Sequence, residues 1–173
     1  MKRIFLLLIL SASLLAGAGE LSRRRAPGFS LVDPVQQQHD LGDYRGKFVV
    51  LDFMQTACPH CAKFAEEIEK LMIKYRGKLI ALSIVVPPDN LNTVTGYIKQ
   101  HNITIPVLFD CGQVAASYLK IGPSNPRATF PHAFLVDPEG TIVNDWVYGP
   151  GTENIFEGDG FIREIDKLMA AKK

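Results

Sequence analysis

Two cysteines stand two residues apart in "VVLDFMQTACPHCAKF" (49–64), with Pro59 and His60 between them. Cys58 and Cys61 could form a metal clip, a structural staple or a redox centre. A structural disulfide across so short a loop removes little chain entropy, so its stabilising effect is small. The third cysteine, Cys111, would also be left over from a staple framework. Half a zinc site needs a second half, and the chain has neither another C-x-x-C nor a histidine pair at finger spacing. Redox chemistry leads. One thiolate attacks or receives a disulfide through a mixed intermediate, and the other resolves it. Two alternatives stay beside it. A soft metal such as Cu(I) could be held by Cys58, Cys61 and His132. A thiol peroxidase is the weaker one, because Thr56 stands two residues before Cys58, not three, and Leu51 occupies the place of a proline in the P-x-x-x-T-x-x-C pattern.

The flanking sequence says what must position these thiols. "KFVVLDFM" (47–54) is a nearly continuous apolar run, the mark of a strand covered on both faces. Phe64, Ile68, Leu71, Met72 and Tyr75 then recur at helical spacing, and Gly77 ends that helix. Cys58 therefore falls where a buried strand hands over to a helix, with Pro59 suited to the first turn. Free N–H groups and the helix dipole at such a start stabilise an anion, which makes a thiolate there reactive. An imidazolium at His60 would favour that thiolate further.

The remaining elements alternate. "FSLVD" (29–33), "LIALSIVV" (79–86) and "IPVLFD" (105–110) are predicted strands, and 92–102 and 112–122 predicted helices. "HAFLVD" (132–137) and "TIVNDWVY" (141–148) flank the turn "PEG" as a hairpin, and 160–173 is a closing amphipathic helix. This order implies an α/β sheet with helices on both faces. There is no internal repeat and no low-complexity segment.

The 173 residues suit one folded domain, 27–173, behind two leading segments. Residues 1–18 carry Lys2 and Arg3, an apolar run from Ile4 to Leu15, and Ala16-Gly17-Ala18. That is the pattern of a cleaved signal peptide, and the run is short against the ~20 residues of a membrane span. Residues 19–26, with the basic run "SRRRAP" (22–27), are expected to form a solvated tether. Export to the periplasm or the outer face of the membrane follows, with membrane attachment only if the leader stays uncleaved. The 19 basic residues less Lys2 and Arg3 leave 17 against 18 acidic ones, a balance that gives no reason to expect nucleic acid as a partner. No cofactor is implied.

The strand–C-x-x-C–helix–strand unit of residues 49–86, together with the segment between 87 and 110 and "FPHAFLVDPEGTIV", resembles the TlpA/ResA-type thioredoxin-like oxidoreductases. The dipeptide Pro59-His60 is similar to the strongly oxidising DsbA type. The resemblance implies a thioredoxin-like fold, with a central mixed sheet flanked by helices, an extra helix–strand insertion and an N-terminal strand region. It implies a nucleophilic Cys58, a resolving Cys61 and a cis Pro131 facing them. It makes Asp52 the buried acid that takes the proton of Cys61, and Pro59, Phe130, Pro131 and His132 the substrate groove. Its partners would be protein thiols and disulfides and a membrane or exported redox partner. Phe64 stands where ResA-type proteins carry a glutamate, and His132 where a threonine is usual.

Other residues have plainer expectations. Cys111, after a strand, reads as a small buried hydrophobe. His39 and His101 read as surface residues, and Trp146 as core.

Overall fold

The structure is a computed structural model that describes residues 19–171; the expected signal segment, 1–18, lies outside them. Its strands are β1 (Arg24–Arg25), β2 (Ser30–Val32), β3 (Gln38–Asp40), β4 (Phe48–Met54), β5 (Leu79–Val85), β6 (Val107–Phe109), β7 (His132–Val136) and β8 (Thr141–Val147). Its helices are α1 (Pro59–Lys74), α2 (Leu91–His101), α3 (Gln113–Leu119), α4 (Glu153–Glu157) and α5 (Gly160–Ala171). The strands form one sheet in the order β1-β8-β7-β4-β5-β6-β2-β3. β4 pairs with β5, and β5 with β6, in parallel, while β7 runs antiparallel to β4 and β8 antiparallel to β7. The sheet is mixed, and the thioredoxin-like α/β class is as expected.

Alternation along β4 makes two cores. Val50 and Met54 face a cluster with Cys61, Phe64, Ile68 and Leu71 of α1, Tyr97 of α2, Phe156 of α4 and Phe161 of α5. Val49, Leu51 and Phe53 face the other cluster, closed by Ala115, Tyr118 and Leu119 of α3. The apolar stripe of α1 is fully buried at Phe64, Ile68 and Leu71, each contributing about 1.5–3 kcal/mol. α1 ends at Lys74 with Tyr75 as its cap; Gly77 lies beyond, at φ +81°, in the turn into β5. Trp146 packs edge-on against Phe161 at 5.1 Å, in the core as expected.

Several expectations change. The basic run before the fold is not a solvated tether: Arg24 and Arg25 pair with Ile142 and Thr141, and Ala26 is buried. The Arg24 guanidinium donates to the Tyr118 carbonyl at 2.6 Å and, through Nε, to the Leu21 carbonyl at 2.8 Å. Cys111 is exposed, because the strand before it stops at Phe109 and Cys111 falls in the turn into α3. His39 is buried, held between the Tyr44 hydroxyl at 2.7 Å and the Asp33 carboxylate at 3.3 Å. The helix expected over 112–122 ends at Leu119, where Lys120 takes a left-handed cap. The short α4 has no counterpart in the sequence-based elements.

Candidate active site

The reactive pair sits where β4 delivers the chain to α1. Cys58 is the N-cap residue in extended conformation, and Pro59, exposed, is at the first helical position. The Cys58 sulfur takes the capping place usually held by an oxygen: the Cys61 backbone N–H donates to it at 3.3 Å. An orphan N–H of the first turn thus points at the sulfur, as anion stabilisation at a helix start requires. Thr56 is tied down just before it: the Thr56 N–H donates to the Asp89 carboxylate at 2.9 Å, and the Thr56 hydroxyl bonds the same group. That hydroxyl is therefore committed to Asp89 and not to Cys58.

The two cysteines differ in exposure. Cys58 is half-buried and Cys61 fully buried, and both are free thiols. Burial first, then the Asp52 carboxyl and the Cys58 sulfur, push the Cys61 thiol well above the usual thiol range. Asp52 is also fully buried, in the middle of β4 and on the same face as Val50 and Met54. Burial raises its carboxyl to about 7, partly opposed by the hydrogen bond from the Ser83 hydroxyl at 3.1 Å. Its other oxygen, Oδ1, has no protein partner. An ionised carboxylate so placed is costly, and the neutral acid is favoured up to neutral pH. The Tyr97 hydroxyl, from α2, donates to the Cys61 carbonyl at 3.3 Å.

The loop before β7 closes the other side. The Phe130–Pro131 peptide is cis, and the Cys58 thiol lies 3.8 Å from the Phe130 carbonyl oxygen, within reach of a weak S–H donor. Pro131 is buried and Phe130 partly so. His132 is the first residue of β7 and is turned away from the thiols. Its Nε2 meets the Asp145 carboxylate at 3.1 Å and its ring stacks on Phe134 at 4.7 Å. Cys58, Cys61 and His132 thus do not converge, and no group of three or more His, Cys, Asp or Glu that could hold a metal ion occurs among the described residues.

His60, in the first turn of α1, stacks on Tyr148 at 4.0 Å and its Nδ1 meets Glu157 Oε1 at 2.5 Å. The Tyr148 hydroxyl donates to the same Glu157 oxygen at 3.1 Å. Tyr148, Glu157, Ser83, Tyr97 and Asp89 are the residues of this neighbourhood that sequence reasoning did not single out. Ser83 carried a signal: it is the polar residue of an otherwise apolar strand, at the same place as Asp52 in its own. Tyr148 and Glu157 carried none, since one directly follows β8 and the other closes a one-turn helix.

A half-buried thiol at a helix start, with a fully buried thiol and a buried acid behind it on a thioredoxin-like sheet, defines a thioredoxin-fold thiol–disulfide oxidoreductase. The chain belongs to the AhpC/TSA family, whose profile matches residues 23–144. It is 28% identical over 135 residues to the thiol-disulfide oxidoreductase ResA of Bacillus cereus, covering 78% of this chain and 74% of that one. A Bacteroides thetaiotaomicron protein assigned as a disulfide isomerase superposes with a TM-score of 0.69 at 25% identity, covering 84% of this chain and 86% of that one. The thioredoxin domain of a Bacteroides vulgatus thiol-disulfide oxidoreductase has the same fold, with a TM-score of 0.68 at 21% identity over 85% of this chain and 96% of that one. No helix among the described residues is long and apolar enough to cross a membrane.

Proposed function

We propose that this oxidoreductase works outside the cytoplasm and chiefly oxidises protein dithiols, with Cys58 as the exchanging sulfur and Cys61 as the resolving one. The observation that carries the assignment of roles is the asymmetry of the pair: Cys58 caps the helix and is accessible, while Cys61 is sealed behind it against Asp52. In the oxidised enzyme a client thiolate attacks Cys58, the Cys58–Cys61 bond breaks, and Cys61 leaves with the electron pair. Asp52, held neutral by burial, is placed to give that sulfur its proton. A second client thiolate attacks the client sulfur of the mixed disulfide, and Cys58 departs as a thiolate stabilised by the helix start. The client has lost two electrons and the enzyme holds them as a dithiol. Run backwards, the Asp52 carboxylate takes the Cys61 proton and Cys61 closes on Cys58.

The Phe130 carbonyl beside Cys58 supplies an edge along which an extended client chain can lie. Export rests on the leader pattern of residues 1–18. An exported or membrane-held redox partner would restore the disulfide. The test is the Cys58–Cys61 equilibrium in glutathione buffers together with trapping of clients by Cys61→Ser. A potential below about −260 mV, at the thioredoxin end of the scale, would make a reductase the correct assignment.

A further inference from the structure

The C-terminal end of β8 and the short α4 bring two side chains to the C-x-x-C motif that lie beyond residue 144, where the family profile ends. Phe156 anchors α4: it is fully buried and packs edge-on against Phe64 of α1 at 4.8 Å. That anchor places the next residue, Glu157, against the first turn of α1. Tyr148 packs on Phe156 at 5.7 Å and presents its ring face to His60. His60 is thus held on two sides, by a ring below its plane and by a carboxylate at its Nδ1 edge.

We propose that Glu157 and Tyr148 are positioning residues that hold His60 beside Cys58 and thereby set the balance between the Cys58–Cys61 dithiol and disulfide. The inference rests on the oxidoreductase reading above. The His60 hydrogen bond, its largest influence, keeps the Glu157 carboxyl below the usual range. An ionised carboxylate only accepts, so the ring proton must sit on Nδ1. The other nitrogen, Nε2, is then the one left to carry positive charge or to meet a client. His60 is two residues from Cys58, in the first turn of the helix that Cys58 caps. A His60 side chain without the clamp would spread over several rotamers in solvent, and the thiolate would lose its fixed neighbour. Whatever stabilises that thiolate stabilises the reduced enzyme, so the clamp favours the oxidant direction.

The experiment is the equilibrium with glutathione, read as the reduced fraction, for the wild type, Glu157→Gln, Tyr148→Phe, His60→Ala and the double variant Glu157→Gln/His60→Ala. Glu157→Gln should lower the constant for reduction by glutathione about two- to five-fold, as the loss of an exposed charged contact would. Tyr148→Phe keeps the stack and drops one hydrogen bond, so it should move the constant the same way by less. In the His60→Ala background, Glu157→Gln should change nothing further. The proposal is overturned if Glu157→Gln has no effect, if His60→Ala has none, or if the Glu157 effect persists without His60. A shift in the opposite direction also overturns it, since that is what a bare anion repelling the Cys58 thiolate would give. A wild type that exchanges with neither glutathione nor thiol peptides would instead sink the oxidoreductase reading.

Discussion

Asp52 and Ser83 stand directly opposite one another in the parallel β4–β5 ladder, and the Ser83 hydroxyl donates to Asp52 Oδ2 at 3.1 Å. Each is the polar residue of a buried apolar strand. The pair places a carboxyl behind Cys61 and leaves its second oxygen, Oδ1, without a protein partner.

The carboxyl raised to about 7 has a stability consequence with a definite sign. The unfolded chain titrates Asp near 4, so between about pH 4 and 7 the folded state binds more protons than the unfolded one. The Asp52 contribution to stability therefore falls as pH rises through that window, by up to about 4 kcal/mol. Asp33, Asp145, Glu157 and Asp166, whose carboxyls are lowered, contribute with the opposite sign in both proteins, so the signature in denaturant unfolding against pH is the difference: wild-type stability minus that of Asp52→Asn should fall across the window. A difference that rises over the same range would refute the burial argument.

The same group should govern resolution. Closure of Cys61 on a Cys58 mixed disulfide should speed up as pH passes about 7, where Asp52 becomes a carboxylate able to take the thiol proton. Asp52→Asn should slow closure on the order of 100-fold and flatten its pH profile, as loss of a general base does. Ser83→Ala removes the hydrogen bond that holds the carboxyl down, so the midpoint of the profile should move upward. Stopped-flow release of a model thiol reads both.

Cys58 should be alkylated well before Cys61, because only Cys58 is accessible and sits at the helix start. Cys58→Ser should abolish exchange, and Cys61→Ser should accumulate mixed disulfides visible on non-reducing gels. Equal labelling of both thiols in the folded protein would contradict the assignment.

The dipeptide Pro59-His60 should place the reduction potential at roughly −130 to −210 mV, between the reference values for DsbA and thioredoxin. His60→Pro should move it tens of millivolts toward thioredoxin, about 30 mV for each 1.4 kcal/mol of lost thiolate stabilisation. An unchanged potential would show that the dipeptide does not set the poise.

Cys111 should react with a thiol reagent in the native dithiol enzyme, since it is exposed. Cys111→Ala should leave exchange kinetics unchanged and cost no more than about 0.5 kcal/mol, the usual range for a surface substitution.

Much of this molecule is legible in its sequence. Buried strands are continuous apolar runs, and α1 declares itself by its spacing, so the place of Cys58 at a strand–helix junction followed directly. What escaped depends on tertiary contacts that leave no periodic trace. The arginines near the N-terminus look like a solvated run because their charges dominate the composition, yet their backbone has an edge to pair with. His39 looks polar and is buried because Asp33 and Tyr44 satisfy both ring nitrogens. His132 neighbours the cis proline in sequence, but the alternation of β7 sends it to the Phe134 face and to Asp145. Glu157 reaches His60 across 97 positions of chain, which no local pattern announces.

The sheet ends on one side at a two-residue strand made of Arg24 and Arg25, and on the other at the three-residue strand Gln38–Asp40. Long apolar edges recruit other extended chains, and short charged ones do not. An oxidant of protein dithiols, as proposed above, would meet extended client segments during exchange. The short margins, Arg24–Arg25 and Gln38–Asp40, give such a segment little to pair with, which confines its contact to the thiol site.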